Sequence, residues 1–212
     1  MFEQVFPKQA KESLAILGQS NLLKDAYLAG GTGLALQIGH RISVDLDFFT
    51  AKRFDAKLLA RNLKKIPAQF TLERLEQDTL LGFFGKTKFS IFFWDYPLLA
   101  KTNSYLGINL ASLKDIAAMK ILAISDRGIK RDFIDLYFML AVGKTFSIKE
   151  VLNFYDKKFK ALPQNRAHLL RSLVYFQDAD ASKMPKMLKN VVWKEVKKYF
   201  EREVKHLAKQ EF

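Results

Sequence analysis

Apolar and polar residues alternate through 42–49, with Ile42, Val44, Leu46 and Phe48 on one side and Ser43, Asp45, Asp47 and Phe49 on the other. A period of two predicts a strand. Upstream, Ala26-Tyr27-Leu28-Ala29 reads as a short strand that ends at Gly30-Gly31, after which Leu34, Ala35, Leu36 and Ile38 predict a helix closed by Gly39. Residues 70–75 form a candidate strand, and 79–84 with 88–94 predict a hairpin around Gly85-Lys86-Thr87. In its second arm, Ser90, Phe92 and Trp94 alternate with Phe89, Ile91 and Phe93, so that arm is expected to be buried on both faces.

After Pro97 the period becomes helical. Ser112 is placed to cap a helix with Asp115 three residues on, and Ile116, Met119, Leu122 and Ala123 supply its apolar stripe as far as about Ser125. Lys120 sits at the edge of that stripe. At ~100° per residue, Lys120, Arg127 and Arg131 share a face if the helix continues. Gly128 predicts a break, with a new helix from about Arg131 carrying Phe133, Leu136, Tyr137 and Leu140 inward. From about residue 147 apolar residues recur at helix spacing, as in Val151-Leu152-Phe154-Tyr155, Leu169-Leu170-Leu173-Val174 and Val191-Val192-Val196, with interruptions at Pro163 and Pro185.

The turn between the first strand and its helix has chemical potential. Backbone N–H groups and the positive end of a helix converge there, and Gly30-Gly31-Thr32 lets a ligand approach closely; a phosphate is the natural occupant. On a strand, Asp45 and Asp47 would point the same way ~6.5–7 Å apart. Two such carboxylates repel unless a cation lies between them, and Mg²⁺ binds through one or two carboxylates plus substrate phosphates. Taken singly, a Gly-Gly is usually a turn and an Asp-x-Asp a solvated face. In immediate succession they are the parts that metal-assisted nucleotidyl transfer requires. His40 is expected to buttress the loop, and Arg41 either to pair with an Asp or to touch phosphate.

Two segments in this order resemble a known family. Tyr27-Leu28-Ala29-Gly30-Gly31-Thr32-Gly33-Leu34-Ala35-Leu36 with His40-Arg41-Ile42-Ser43-Val44-Asp45-Leu46-Asp47-Phe48-Phe49 is similar to the first motif of the AbiEii/AbiGii nucleotidyltransferase-type toxins, within the polymerase-beta-like nucleotidyltransferase superfamily. Asp115-Ile116-Ala117-Ala118-Met119-Lys120, Arg127-Gly128 and Arg131-Asp132-Phe133-Ile134-Asp135-Leu136-Tyr137 resemble its downstream Lys/Arg/Arg-Asp motif. A weaker match is Tyr175-Phe176-Gln177-Asp178-Ala179-Asp180 with Met184-Pro185 and Trp193.

The resemblance implies an α/β (α+β) fold: a nucleotidyltransferase-like mixed sheet with helices over residues 1–110, and a helical domain over 111–212 closing a cleft. It implies Asp45 and Asp47 as catalytic metal ligands for Mg²⁺ (or Mn²⁺), and Gly30, Gly31, Thr32, Arg41 and Ser43 around the NTP. Lys120 would sit on the β/γ-phosphates and Asp132 near the attacking hydroxyl. The third carboxylate common in such enzymes is replaced by Ser90 or Phe92; either Asp95 substitutes from the strand end or that acid is absent. Arg127 holds phosphate or caps a helix, and Asp135 either joins the site or pairs with Arg131 on the surface. Trp193 and the Phe-rich hairpin read as core.

Composition narrows the partners. The chain has 212 residues, 49% hydrophobic and 27% charged, long enough for one domain or two small ones. Without Cys it has no disulfide framework, cysteine zinc site or thiol chemistry. No charged-then-apolar leader opens it, and no apolar run approaches the ~18 residues of a membrane span, so a soluble cytoplasmic protein is expected. The formal charge of +13 should attract polyanions. Lys52, Arg53, Lys57, Arg61, Lys64 and Lys65 oppose only Asp55, and nine basic residues from Lys183 to Lys209 oppose three Glu, so these two helical stretches are the expected nucleic-acid footprint. The resemblance further implies the toxin of a toxin–antitoxin or phage-defence system, with RNA, tRNA in particular, as acceptor and a cognate antitoxin as partner. The rival readings are a catalytically inactive RNA-binding protein on the same fold and a small-molecule nucleotidyltransferase, for which +13 would be unneeded.

Overall fold

The computed structural model describes residues 1–160 and 166–211, and the expected interruption at Pro163 lies outside them. The chain divides into two compact units, Met1–Ser112 and Leu113–Phe212.

The first unit is built on a mixed sheet with strand order β3-β4-β5-β2-β1-β7-β6. The strands are β1 (Tyr27–Leu28), β2 (Leu46–Thr50), β3 (Phe70–Glu76), β4 (Thr79–Phe84), β5 (Thr87–Phe93), β6 (Asn103–Tyr105) and β7 (Ile108–Leu110). β2 runs antiparallel to β1 and parallel to β5, with Asp47 opposite Ser90 and Phe49 opposite Phe92. Along β2, Leu46, Phe48 and Thr50 are buried while Asp47 and Phe49 are half-buried, the alternation of a strand with one core face. Phe48 packs on Phe89, which meets Phe84 and Phe70 edge-on, so the Phe-rich hairpin is core as the aromatic pattern predicts. In β5, Phe89, Ser90 and Ile91 are buried while Lys88 is exposed and Phe92 and Phe93 are half-buried, so the expected burial on both faces holds only for the middle of the strand. Helix α1 (Lys8–Gln19) buries Ala10, Leu14 and Leu17, one stripe at helical spacing. Helix α2 (Gly30–Ile38) ends at Gly39 in the left-handed conformation, and α3 (Ala56–Leu63) is capped by Asp55, which accepts from Leu58 N–H.

Two features differ from the sequence pattern. The alternating run 42–49 is strand only from Leu46 onward. Ahead of it, Ser43 N–H donates to the Val5 carbonyl and Ser43 Oγ accepts from Thr32, so this segment is tied to the N-terminal residues and α2 rather than to a ladder. The second difference lies after Pro97, where the spacing predicts helix directly. A hairpin of two three-residue strands, β6 and β7, intervenes, turned by Leu106 (φ 52°) and Gly107 (φ 78°). Positive φ at both central residues suits a two-residue turn that matches strand twist.

The second unit is helical: α4 (Leu113–Asp126), α5 (Lys130–Tyr137), a π-helical turn (Phe138–Val142), α6 (Ile148–Lys158), α7 (Arg166–Ser172), α8 (Gln177–Ala181) and α9 (Trp193–Glu211). The expected break is at Gly128, whose φ of 49° ends the first helix and lets α5 fold back. Ser147 and Glu150 form a capping box at the start of α6. Phe133 centres an aromatic cluster with Phe176, Trp193 and Phe200; Trp193 lies half-buried at its edge, donating its indole N–H to Asp180. No described helix is long and apolar enough to cross a membrane.

The hairpin is held by close approach. A Cβ on Gly18 of α1 would lie 1.8 Å from the Leu106 carbonyl oxygen, so Gly18→Ala must push α1 off the β6–β7 turn. The expected cost is roughly 1–3 kcal/mol, read as a lower urea midpoint; an unchanged midpoint would show that this approach carries no stability.

Candidate active site

The N-terminus of α2 is assembled from glycine geometry. Gly30 has φ 62°, and a Cβ there would lie 3.4 Å from Asp47 Oδ2. At Gly31 a Cβ would lie 2.0 Å from Arg41 Nη2 and 3.1 Å from Ser43 Oγ. The two glycines therefore serve different ends: the first permits the turn, and the second admits the Arg41 guanidinium across the first turn of the helix. Arg41 is buried, with Nη1 donating to the Ile42 carbonyl at 3.1 Å. Thr32 Oγ1 donates to Ser43 Oγ at 2.8 Å.

Ala29, at the N-cap, offers no side-chain cap, and Gly33 N–H is the first in α2 to reach a carbonyl, that of Ala29 at 3.0 Å. The N–H groups ahead of it have no intrahelical acceptor. A helix N-terminus is positive. The Arg41 guanidinium and the Asp47 carboxylate both stand beside this positive end.

Asp47 stands next to this corner. Ser90, its register partner on β5, donates Oγ to Asp47 Oδ1 at 2.5 Å, which fixes the carboxylate and leaves Oδ2 toward Gly30. Asp45 lies one residue before β2, outside the ladder. At the other end of the strand, Trp94 N–H bonds the Thr50 carbonyl. Thr50 is three residues beyond Asp47, or roughly 10 Å, so Asp95 is carried away from Asp47 and Ser90 occupies the position beside it. Among the described residues no group of three or more His, Cys, Asp or Glu is placed to hold a metal. The ladder expected to set Asp45 and Asp47 on one face includes only Asp47; a hard cation is commonly held by one or two carboxylates, with substrate phosphates and water completing its shell. His40 is fully buried next to Arg41, in keeping with a buttress.

In the helical unit the fold-back at Gly128 brings α4 and α5 together. Lys120 is 4% exposed and its Nζ donates to Asp132 Oδ1 at 2.8 Å and lies 2.6 Å from Asp135 Oδ2. Arg127 reaches the same Asp132 through Nε at 3.0 Å and Nη2 at 3.2 Å. Lys120 is thus no solvated helix residue, and Asp135 is buried against Lys120 rather than paired with Arg131 on the surface. Arg131 is exposed and stands apart from the group, because α5 starts afresh and does not continue the face of α4. A second buried pair has no counterpart in the sequence reading. Lys158 Nζ donates to Asp115 Oδ1 at 2.7 Å, both side chains fully buried. Its only sequence trace is a charge at an inward helical position in α6.

Burial pushes the Asp132 carboxyl up, but Lys120 and Arg127 outweigh it and hold the group below its ordinary value. A depressed value in the folded state contributes stability that is present above the unfolded pKa, about 3.9, and disappears as pH falls through the folded one.

Solved structures share this fold. JHP933 from Helicobacter pylori is similar over 97% of this chain and 96% of its own, with a TM-score of 0.55 and 19% identity. MenT4, a nucleotidyltransferase toxin from Mycobacterium tuberculosis H37Rv, is similar over 94% of this chain and 86% of its own, with a TM-score of 0.53 and 14% identity. The architecture is that of the nucleotidyltransferases. In sequence, the uncharacterized protein aq_aa25 of Aquifex aeolicus (strain VF5) is 38% identical over 202 residues, 93% of this chain and 95% of that protein. The model of the family described as nucleotidyl transferase AbiEii toxin, type IV TA system, matches residues 13–97 and 89–210. The chain belongs to this AbiEii family and is a nucleotidyltransferase.

The Asp132 cluster carries a pH test. Asp132→Asn removes one partner of a buried ion pair, at an expected cost of roughly 3–5 kcal/mol at pH 7. As pH falls from about 4 through the lowered folded pKa, wild type loses its ionised Asp132 contribution as well, so the gap between the two urea midpoints should narrow there; a gap independent of pH would remove Asp132 from the stabilising network.

Proposed function

We propose that the chain transfers a nucleotidyl group from an NTP to a hydroxyl of RNA, tRNA in particular, in the cytoplasm, with Mg²⁺ (or Mn²⁺), as the toxin of a toxin–antitoxin or phage-defence system with a cognate antitoxin. The observation that carries this reading is the convergence of the Gly30-Gly31 turn, the Arg41 guanidinium and the Asp47 carboxylate at one corner of the sheet. The N–H groups of Gly30, Gly31 and Thr32 and the Arg41 guanidinium bind the triphosphate, and the Thr32–Ser43 hydroxyl pair fixes the loop that presents them. Asp45 and Asp47 hold the cation, with Ser90 keeping Asp47 aimed. A cation there neutralises charge that builds on the phosphoryl oxygens and leaving group.

Lys120 and Asp132 take a different part from the one the resemblance implies. Each already has a buried charge partner, and a carboxyl held below its ordinary value is a poor base. We assign them as positioning residues: together they fix Arg127, which at 53% side-chain exposure is the member of the cluster that a phosphate reaches. The +13 charge and the exposed basic residues of α3 and α9 favour RNA over a small acceptor.

The test is incubation of the protein with each α-labelled NTP, Mg²⁺ and total RNA. Label should enter RNA, stop on chelation and return with Mg²⁺ or Mn²⁺. Asp47→Asn should fold and lose at least ~100-fold in rate. Full transfer by that variant, or no label in RNA from any NTP, contradicts the reading.

A further inference from the structure

Among the described residues, concavities lie within each unit, and their charge separates them. The one beside α3 places Lys52 and Arg53 on its wall, but these are paired with Asp25 at 2.6 Å and Asp78 at 2.8 Å. The one below α4 places Arg127 and Arg171 there with Asp126 and Asp178, and Arg127 is bound to Asp132. The groove between the π-helical turn and α9 differs. Its wall has Lys144, Lys198 and Arg202 against Glu195 alone, in a volume of about 640 Å³.

This groove follows from helix spacing. Glu195, Lys198, Tyr199 and Arg202 lie at i, i+3, i+4 and i+7 and so share one face of α9. Lys197 does not belong to it, because its Nζ binds Asp180 and lies near the Phe176 and Trp193 rings. The basic residues of α9 are therefore split between two faces, one committed to the unit's own packing and one open. The facing wall is the π-helical turn Phe138–Val142, which leads to Lys144 at φ 47°. Such turns are frequent at functional sites. Tyr137 and Tyr199 meet edge-on at 5.4 Å on the floor, with the Arg202 guanidinium 5.4 Å from the Tyr199 ring.

Lys144, Lys198 and Arg202 are all exposed. Lys198 lies a loose 3.5 Å from Glu195, while Arg202 donates twice to Glu203, from Nη2 at 2.7 Å and Nε at 2.9 Å, and keeps its outer face open at 71% side-chain exposure. Exposed pairs of this kind contribute little and yield readily to a phosphate. Burial first, then Glu203, pushes the Tyr199 phenol up to about 12, so it presents a neutral ring and a hydroxyl donor. Cations along one wall with aromatic rings between them are the elements that bind an unpaired strand: phosphates to the charges, a base to a ring. A base within a duplex is not available to a ring in this way.

We propose that the α9 groove seats a single-stranded segment of RNA, with its phosphates on Lys144, Lys198 and Arg202 and a base against Tyr137 or Tyr199. The proposal rests on RNA being the acceptor and assigns the surface that holds it.

The test uses the full chain and a fluorescent, unstructured 12-nucleotide RNA, with binding read by anisotropy over a range of KCl. The triple variant Lys144→Gln, Lys198→Gln, Arg202→Gln changes exposed residues and should keep the wild-type thermal midpoint. A control removes as much charge from α3 and the residues that follow it: Lys57→Gln, Arg61→Gln, Lys65→Gln. The slope of log K against log salt should fall by about 0.7 for each phosphate that is no longer neutralised, or roughly 2 for the groove variant, and less for the control. Equal decreases in both variants, or none in the groove variant, overturn the proposal. So does displacement of the RNA by polyglutamate as efficiently as by unlabelled RNA, which would assign the groove to an acidic polypeptide. The two readings fail separately. Label transfer to RNA with unchanged binding by the groove variant refutes the groove alone, whereas a groove-dependent slope without transfer from any NTP refutes nucleotidyl transfer to RNA alone.

Discussion

The parallel pairing of β2 with β5 places Ser90 beside Asp47, and the rest of the candidate site is arranged around that register. The hydroxyl of Ser90 fixes one oxygen of the carboxylate and leaves the other toward the Gly30 turn. Because a strand's side chains alternate, the same register sends Leu46 and Phe48 into the core and Asp47 out of it. A slip of one residue would bury the acid and expose both apolar side chains, so the core and the site specify each other. Arg41 then closes the corner, and only glycine at position 31 leaves room for it. A positive helix end, a buried guanidinium and an oriented carboxylate thus meet at one corner of the sheet.

The helical unit depends on buried charge. Taking Lys120, Asp132 and Asp135, or Lys158 and Asp115, out of water costs several kcal/mol per ion, and their mutual attraction recovers this only with close, complete pairing. Apolar residues of the same volume would hold α4, α5 and α6 together at least as well. What the ion pairs add is a defined position: Lys120 bridges two carboxylates one helical turn apart, and Asp132 in turn receives Arg127 in two bonds. The group of four charges fixes where α5 lies after the Gly128 break and where Arg127 projects.

Much of the first unit is legible in the chain because its signals are local. The glycine pair, the Gly39 stop, the alternation at Leu46–Phe48 and the hairpin at Gly85 each follow from residue types a few positions apart. The β6–β7 hairpin is hidden because three-residue strands are too short to show a period, although Leu106-Gly107 is a turn signal. Continuity of alternation puts Asp45 on a strand, whereas the competing bonds of Ser43 to Val5 and Thr32 come from residues that are distant in sequence. Similarly, Lys120 is legible as an exception on an apolar stripe, but its partners depend on how α5 folds back. No periodicity carries that information. The departure at the third carboxylate is visible in the sequence as Ser90; its role as the partner of Asp47 requires the register.

The most direct test of the central claim is electron paramagnetic resonance of Mn²⁺ with the protein and a non-hydrolysable NTP analogue. The account predicts a bound Mn²⁺ with ³¹P coupling from the analogue, abolished when Asp45 and Asp47 are both changed to Asn. The same bound signal and ³¹P coupling in the double variant would contradict it.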